Sequence, residues 1–220
     1  MALAIFDLDN TLLEGDSDYL WGVFLAQQGL VDGAHYAREN ERFYREYQAG
    51  KLDIFEFLRF SLKPLAQHPL ERLHALRERF MREQIDPIIL PAGRALIERH
   101  RQAGDTLLIV TATNAFVTAP IAERLGVPHL IATNPEMIDG RYTGNVSGIP
   151  CFQEGKVKRL DLWLGEHGLD LVGSSFYSDS HNDLALLRRV DRPIAVNPDP
   201  QLADYARARG WPVIDLRGES

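Results

Sequence analysis

The sequence holds a single cysteine, Cys151. That excludes an intramolecular disulfide and any cysteine-based zinc site, and it makes a reducing compartment the natural setting. No stretch approaches the ~20 apolar residues of a membrane-spanning helix. The opening "MALAIFDLD" has no basic flank, and Asp7 breaks its apolar run, so it does not read as a signal peptide. A cytoplasmic location is the expectation. Lys and Arg number 24 against 31 Asp and Glu, a net charge of −7. That balance argues against a nucleic-acid surface. A small phosphorylated ligand needs only one local positive site. Repeats and low-complexity segments are absent as well.

What is present is a change of rhythm. With 220 residues, 45% of them hydrophobic, the chain can bury a full core without staples. Residues 2–8 read as a buried strand. From Asp16 to Ile85 the pattern is helical throughout, with Ser17 or Asp18 placed to cap the first helix. A later helix, "LDIFEFLRFSLKPLA", breaks near Pro64, and Pro69 suits the first turn of the next. Six aromatics fall between Phe43 and Phe60, where no strand pattern appears.

After "DPIILPAG" strands and helices alternate. A helix over 92–103 precedes the strand "TLLIVTA", the helix "AFVTAPIAERLG" and the short strand "HLIATN". A hairpin turns near Asp139–Gly140, and the helix "GKVKRLDLWLGEHG" follows. Then come the strand "LVGSSFYSDS", the helix "NDLALLRRV", and two late strands around "PQLADYARARG". Continuous apolar strands alternating with helices imply an α/β fold with a parallel sheet covered on both faces. The helical block then reads as a cap over 15–86, inserted after the first strand into a core of 1–14 and 87–220.

In such a sheet ligands bind beyond the carboxyl ends of the strands. Polar groups gather at three of those ends: Asp7 and Asp9; Thr111, Thr113 and Asn114; Asp179, Asn182 and Asp183. Clustered aspartates need a cation, and an all-oxygen site suits Mg²⁺. With a lysine and hydroxyl donors this makes a phosphate site. One carboxylate can attack phosphorus and a second can handle the proton.

These residues carry a resemblance. "DLDNT" resembles the first motif of the haloacid dehalogenase (HAD) superfamily, and "TAT" after four apolar residues its second. Lys156 matches the third motif and "SDSHND" the fourth. The order covers the whole chain, with no departure from the catalytic pattern. The resemblance implies a Rossmann-like parallel sheet with a C1-type helical cap, and a Mg²⁺-dependent phosphatase acting through an aspartyl phosphate. Asp7 is then nucleophile and metal ligand. Asp9 is the general acid and base and binds metal through its carbonyl. Thr111 and the Ala112 N–H bind phosphoryl oxygens, and Asn182 touches phosphate or a coordination water. Lys156 neutralises the charge, and it is preferred to Lys158 because it follows Gly155. Asp179 is a metal ligand, and Asp183 supports the metal shell.

The branch with this cap includes phosphoserine phosphatase and is identified with small substrates. Asp16 stands where that enzyme carries the acid that binds the substrate ammonium. After "GKL", Ser61 stands where it carries the arginine that clamps the substrate carboxylate, and Arg59 lies half a turn away. An amine binder without a carboxylate clamp suits an amino-alcohol phosphate. Some bacterial members of this branch that resemble "FDLDNTLLEGDSDYLWG" are regarded as histidinol-phosphate phosphatases, so the resemblance implies L-histidinol phosphate, and with it histidine biosynthesis, as the expected assignment. Its imidazole can stack on cap aromatics or pair with Asp18, Glu39 or Glu41. Phosphoserine phosphatase or a broad small-molecule phosphatase is the alternative. A phosphotransferase or a non-catalytic phospho-ligand binder is the alternative class. Cys151 reads as an inert small residue.

Overall fold

A computed structural model describes residues 2–218. Strand β1 (Leu3–Phe6) is buried at every position. An all-helical segment follows, made of α1 (Ser17–Gln27), α2 (Gly33–Gln48), α3 (Ile54–Ser61), the single turn α4 (Lys63–Ala66) and α5 (Leu70–Phe80). A π-turn and a 3-10 turn carry the chain to Ile88. Alternation then begins with α6 (Pro91–Gln102), β2 (Thr106–Asn114), α7 (Ala115–Leu125), β3 (His129–Ile138) and β4 (Arg141–Ser147). It ends with α8 (Glu154–His167), β5 (Ser175–Ser178), α9 (Leu184–Leu187), β6 (Arg192–Val196), α10 (Pro200–Arg209) and β7 (Val213–Ile214).

The seven strands are ordered β4-β3-β2-β1-β5-β6-β7. All neighbours pair in parallel except β3 and β4. The strand order therefore reverses at β1, with β2 on one side and β5 on the other, and a crevice opens at such a switch point. Phe6 lies level with Ile109 and Tyr177. Within the next few residues of each strand come the polar groups Asp7 and Asp9, Thr111 and Thr113, and Ser178 and Asp179.

Side chains alternate across the central strands. Ala4 and Phe6 enter one core with Ile109 and Tyr177, while Leu3 and Ile5 enter the other with Leu108 and Phe176. The second core is closed by α8, α9 and α10 through Leu160, Leu187 and Leu202. The first is closed by α6 and α7, and also by Trp21, Leu65 and Phe80 of the helical segment. Trp21 packs on Phe80 at 5.1 Å and on Phe116 of α7 at 5.7 Å, ring centre to ring centre. The helical segment thus shares its apolar core with one face of the sheet.

Several boundaries differ from those expected. Asp16, rather than Ser17 or Asp18, caps α1, because its carboxylate accepts the free N–H groups of Asp18 and Tyr19. The break before Pro64 falls at Leu62, since Pro64 has no N–H to continue the helix and starts α4 instead. Pro69 stands just before the first turn of α5. Strand β3 runs on to Ile138 because it finds an antiparallel partner in β4, with Ile138 opposite Arg141. The turn between them is at Asp139–Gly140, as expected, and both residues have positive φ. Strand β5 and helix α9 are shorter than their patterns, because the loop between them folds around its own side chains: Ser180 accepts from Asn182 N–H.

Candidate active site

Asp7 still belongs to the sheet, because its N–H donates to the Tyr177 carbonyl at 2.9 Å. Its carboxylate is buried, and Lys156 Nζ donates to Oδ1 at 2.7 Å. The lysine arrives from the first turn of α8. Gly155, just before it, has no room for a side chain, since a Cβ would lie 2.0 Å from the Pro150 carbonyl oxygen. Lys156 is therefore aimed inward and buried, whereas Lys158 is exposed.

Lys156 is shared. It also meets Asp183 at 2.7 and 2.9 Å, one distance to each carboxylate oxygen. Ser178 Oγ donates to the same Asp183 carboxylate at 2.7 Å. Asp183 thus holds the lysine in place. Thr11 closes the other side, with Oγ1 3.4 Å from Asp7 Oδ2 and 3.2 Å from Asp179 Oδ1. The Asp179 N–H returns a bond to Thr11 Oγ1 at 3.1 Å.

The charges do not balance. Burial pushes Asp7 up to about 7, with Lys156 pulling down and Asp183 pushing up. Burial, then Asp7 and Asp183, hold Asp179 well above the carboxylate range. Burial opposes the Lys156 ammonium, yet Asp183 and Asp7 keep its proton tightly bound. Asp7 and Asp183 share this one ammonium, and Asp179 makes no ion pair among the described residues. Among the described residues, no three acidic, histidine or cysteine side chains converge closely enough to form a cage for an ion. A hard cation that keeps most of its waters needs no such cage. Two carboxylates, Asp7 and Asp179, with the Asp9 carbonyl fit that preference.

Asp9 sits apart from the lysine. The Ser17 N–H, at the start of α1, donates to one oxygen at 2.7 Å, and Thr113 Oγ1 donates to the other at 2.7 Å. Burial, followed by the nearby Asp16 charge, pushes Asp9 up to about 6. A carboxyl held in that range can both release and accept a proton near neutrality. Thr111 is buried where β2 shifts register against β3, and its hydroxyl accepts from Thr113 N–H at 3.2 Å.

Over these groups lies a cavity of about 650 Å³, counted to its open mouth. Asp7, Asp9, Thr111 and Ala112 line its sheet end. Asp16 and Asp18 line it from the start of α1, and Asn40, Phe43, Tyr44 and Tyr47 line it from α2. Among the described residues no arginine or lysine lines it. Arg59 is exposed and stands outside, and Ser61 is buried. Glu39 and Glu41 are turned to ion pairs with Arg42 and Arg45 and do not reach the cavity.

Asn182 does not line this cavity either. Its Nδ2 donates to the Tyr47 carbonyl at 3.1 Å, and its Oδ1 accepts from Gln153 Nε2 at 2.9 Å. The amide is spent on tying α2 to the loop after β5, which leaves it no phosphate-binding direction. Sequence reasoning gave no roles to Thr11, Thr113 and Ser178, the hydroxyls that orient the acids. The threonine of "DLDNT" was visible, but its contact to Asp179 depends on register across the sheet.

Residues 4–188 match the haloacid dehalogenase-like hydrolase family, and the chain belongs to it. It is 48% identical to a histidinol-phosphatase of Neisseria meningitidis serogroup C, over 98% of this chain and 99% of that one. It is 34% identical to a phosphoserine phosphatase of Mycobacterium tuberculosis, over 98% of this chain and 71% of the relative. A solved structure from Bordetella pertussis Tohama I, described as a protein with unknown function, matches with a TM-score of 0.92 at 50% identity, covering 98% of each chain.

Proposed function

We propose that this HAD-type phosphatase hydrolyses a small phosphate monoester whose leaving group carries an amine and no carboxylate, with L-histidinol phosphate as the substrate. That places it in histidine biosynthesis. The observation that carries this reading is the cavity wall, where Asp9, Asp16 and Asp18 face the leaving group and no arginine or lysine does. A substrate carboxylate would be buried against these acids without a partner, at a cost of about 1–3 kcal/mol or more. An ammonium meets Asp16, which spends only one oxygen on capping α1. The relative in Neisseria meningitidis, named a histidinol-phosphatase, supports the same substrate.

The chemistry follows from the donors. An Asp7 carboxylate oxygen attacks phosphorus, the ester P–O bond breaks, and Asp9 gives its proton to the departing alcohol. Thr111 and the Ala112 N–H donate to the phosphoryl oxygens. Lys156, held by Asp183, keeps Asp7 anionic before attack and offsets the added charge after it. Asp9, now ionised, takes a proton from water as the water attacks the phosphoaspartate and frees phosphate. Asp7, Asp179 and the Asp9 carbonyl would hold Mg²⁺, which supplies positive charge against the phosphoryl oxygens when bound. Residues 1–14 and 87–220 act as the catalytic core, and 15–86 as the cap that encloses the leaving group. No helix among the described residues is long and apolar enough to cross a membrane, in keeping with a small polar substrate.

Phosphate release from L-histidinol phosphate is expected to stop in EDTA, to return with Mg²⁺, and to fall by at least about 10³-fold in Asp7→Asn. An Asp7→Asn enzyme with full activity would overturn the covalent mechanism.

A further inference from the structure

Phosphoryl transfer engages the sheet end of the cavity and an ammonium engages Asp16, which leaves the rest of the wall formed by α1, α2 and α3 without a defined contact. Two polar side chains on that wall are uncommitted. Asn40 is buried, with 6% of its surface exposed. Its Nδ2 donates to the Tyr19 carbonyl at 3.0 Å, which fixes the amide orientation and leaves Oδ1 as the free acceptor. No described residue donates to that oxygen. Asp18 has one long contact, from Asn114 Nδ2 at 3.4 Å, and no cationic partner among the described residues. Glu39 and Glu41 differ from it, because each already has an arginine.

Aromatic faces surround this pair of acceptors. Tyr19 packs on Tyr44 at 5.7 Å, and Phe43 packs edge-on against Phe57 at 5.3 Å; all four rings line the cavity. An anionic acceptor, a neutral acceptor and aromatic walls together suit a flat group with two N–H donors and positive character. A simple ammonium also fills the acceptors and can sit over one ring face, but it leaves most of the aromatic wall uncovered. The helix dipole also favours an acid in the first turn of a helix, but it does not account for the free Asn40 oxygen. Burial, then the charges of Asp16 and Asp9, push the Asp18 carboxyl well up, a tension that a cation relieves.

We infer that Asp18 and Asn40 form a leaving-group subsite for a nitrogen heteroaromatic ring, and so set the specificity of the enzyme. Asp18 takes one ring N–H and Asn40 Oδ1 the other, with the half-buried Tyr19 and Tyr44 beside the ring. The inference rests on the phosphatase reading above and deepens it.

The test is inhibition of p-nitrophenyl phosphate hydrolysis by two amino alcohols, L-histidinol and L-alaninol. They share the amine and the hydroxyl, and only the first has a ring. The wild-type protein is expected to bind L-histidinol at least about tenfold more tightly. Asp18→Asn, nearly isosteric, and Asn40→Leu are each expected to bring the ratio of inhibition constants close to one, with thermal melts checking that both variants fold. A ratio unchanged in both folded variants, or equal inhibition by the two compounds in the wild type, overturns the subsite. Turnover of L-histidinol phosphate by the wild type is read separately. Its failure, with the inhibitor preference intact, would count against the proposed substrate and not against the ring subsite.

Discussion

The proton chemistry proposed for Asp9 comes at the expense of stability. Its carboxyl is pushed from an ordinary 3.8 to about 6, chiefly by burial. Below the unfolded value it is protonated in both states, and no penalty exists. Between the two values the unfolded chain ionises first, so stability falls as pH rises, and above about 6 the penalty is complete. In metal-free protein, Asp9→Asn is therefore expected to raise Tm at pH 8 by roughly 5 °C and to leave it nearly unchanged at pH 3, while turnover is lost. Equal Tm values at pH 8, by calorimetry, would contradict the buried-acid account. At this scale much was legible. Asp7 and Asp9 follow an aliphatic run that has no other reason to end in two acids. Asp183 was legible only in part, because its partners Lys156 and Ser178 come from different elements and are brought together by the sheet.

Short stretches of backbone decide whether these residues meet. A side chain at Gly155 would collide with the Pro150 carbonyl, so Gly155→Ala must shift the first turn of α8 and withdraw Lys156 from Asp7. It is expected to cut kcat by at least about tenfold while far-ultraviolet circular dichroism stays native; an unchanged kcat would show that α8 can yield. The cap is tied down where Asn182 bridges the Tyr47 carbonyl and Gln153. Asn182→Ala loses one or two hydrogen bonds, for which a loss of about three- to tenfold in kcat/KM is expected, carried mainly by KM. A change confined to kcat would place Asn182 in the chemistry instead. Helical phase made part of this readable. In α3, Leu58 and Ser61 are buried and Arg59 is exposed, as their spacing requires. The Asn182 bridge was not readable, since it joins a loop to the end of α2 through a backbone carbonyl.

The whole molecule joins two designs. Strand order that reverses at β1 opens a crevice and places the acids, the lysine and the hydroxyls of four separate segments around it. A helical segment built into the same apolar core then supplies a wall of acids and aromatic rings. The alternation of strands and helices made the first legible. The second was visible only as helices rich in aromatics, because which faces meet the cavity depends on how those helices pack. The net charge of −7 is in keeping with the cationic leaving group proposed above. The most direct measurement is kcat/KM for L-histidinol phosphate and L-phosphoserine, side by side with Mg²⁺. L-histidinol phosphate is expected to be preferred by at least about tenfold, because the phosphoserine carboxylate meets acids with no basic partner. A preference for phosphoserine would mean that a basic group reaches the cavity during turnover, and it would contradict the assignment.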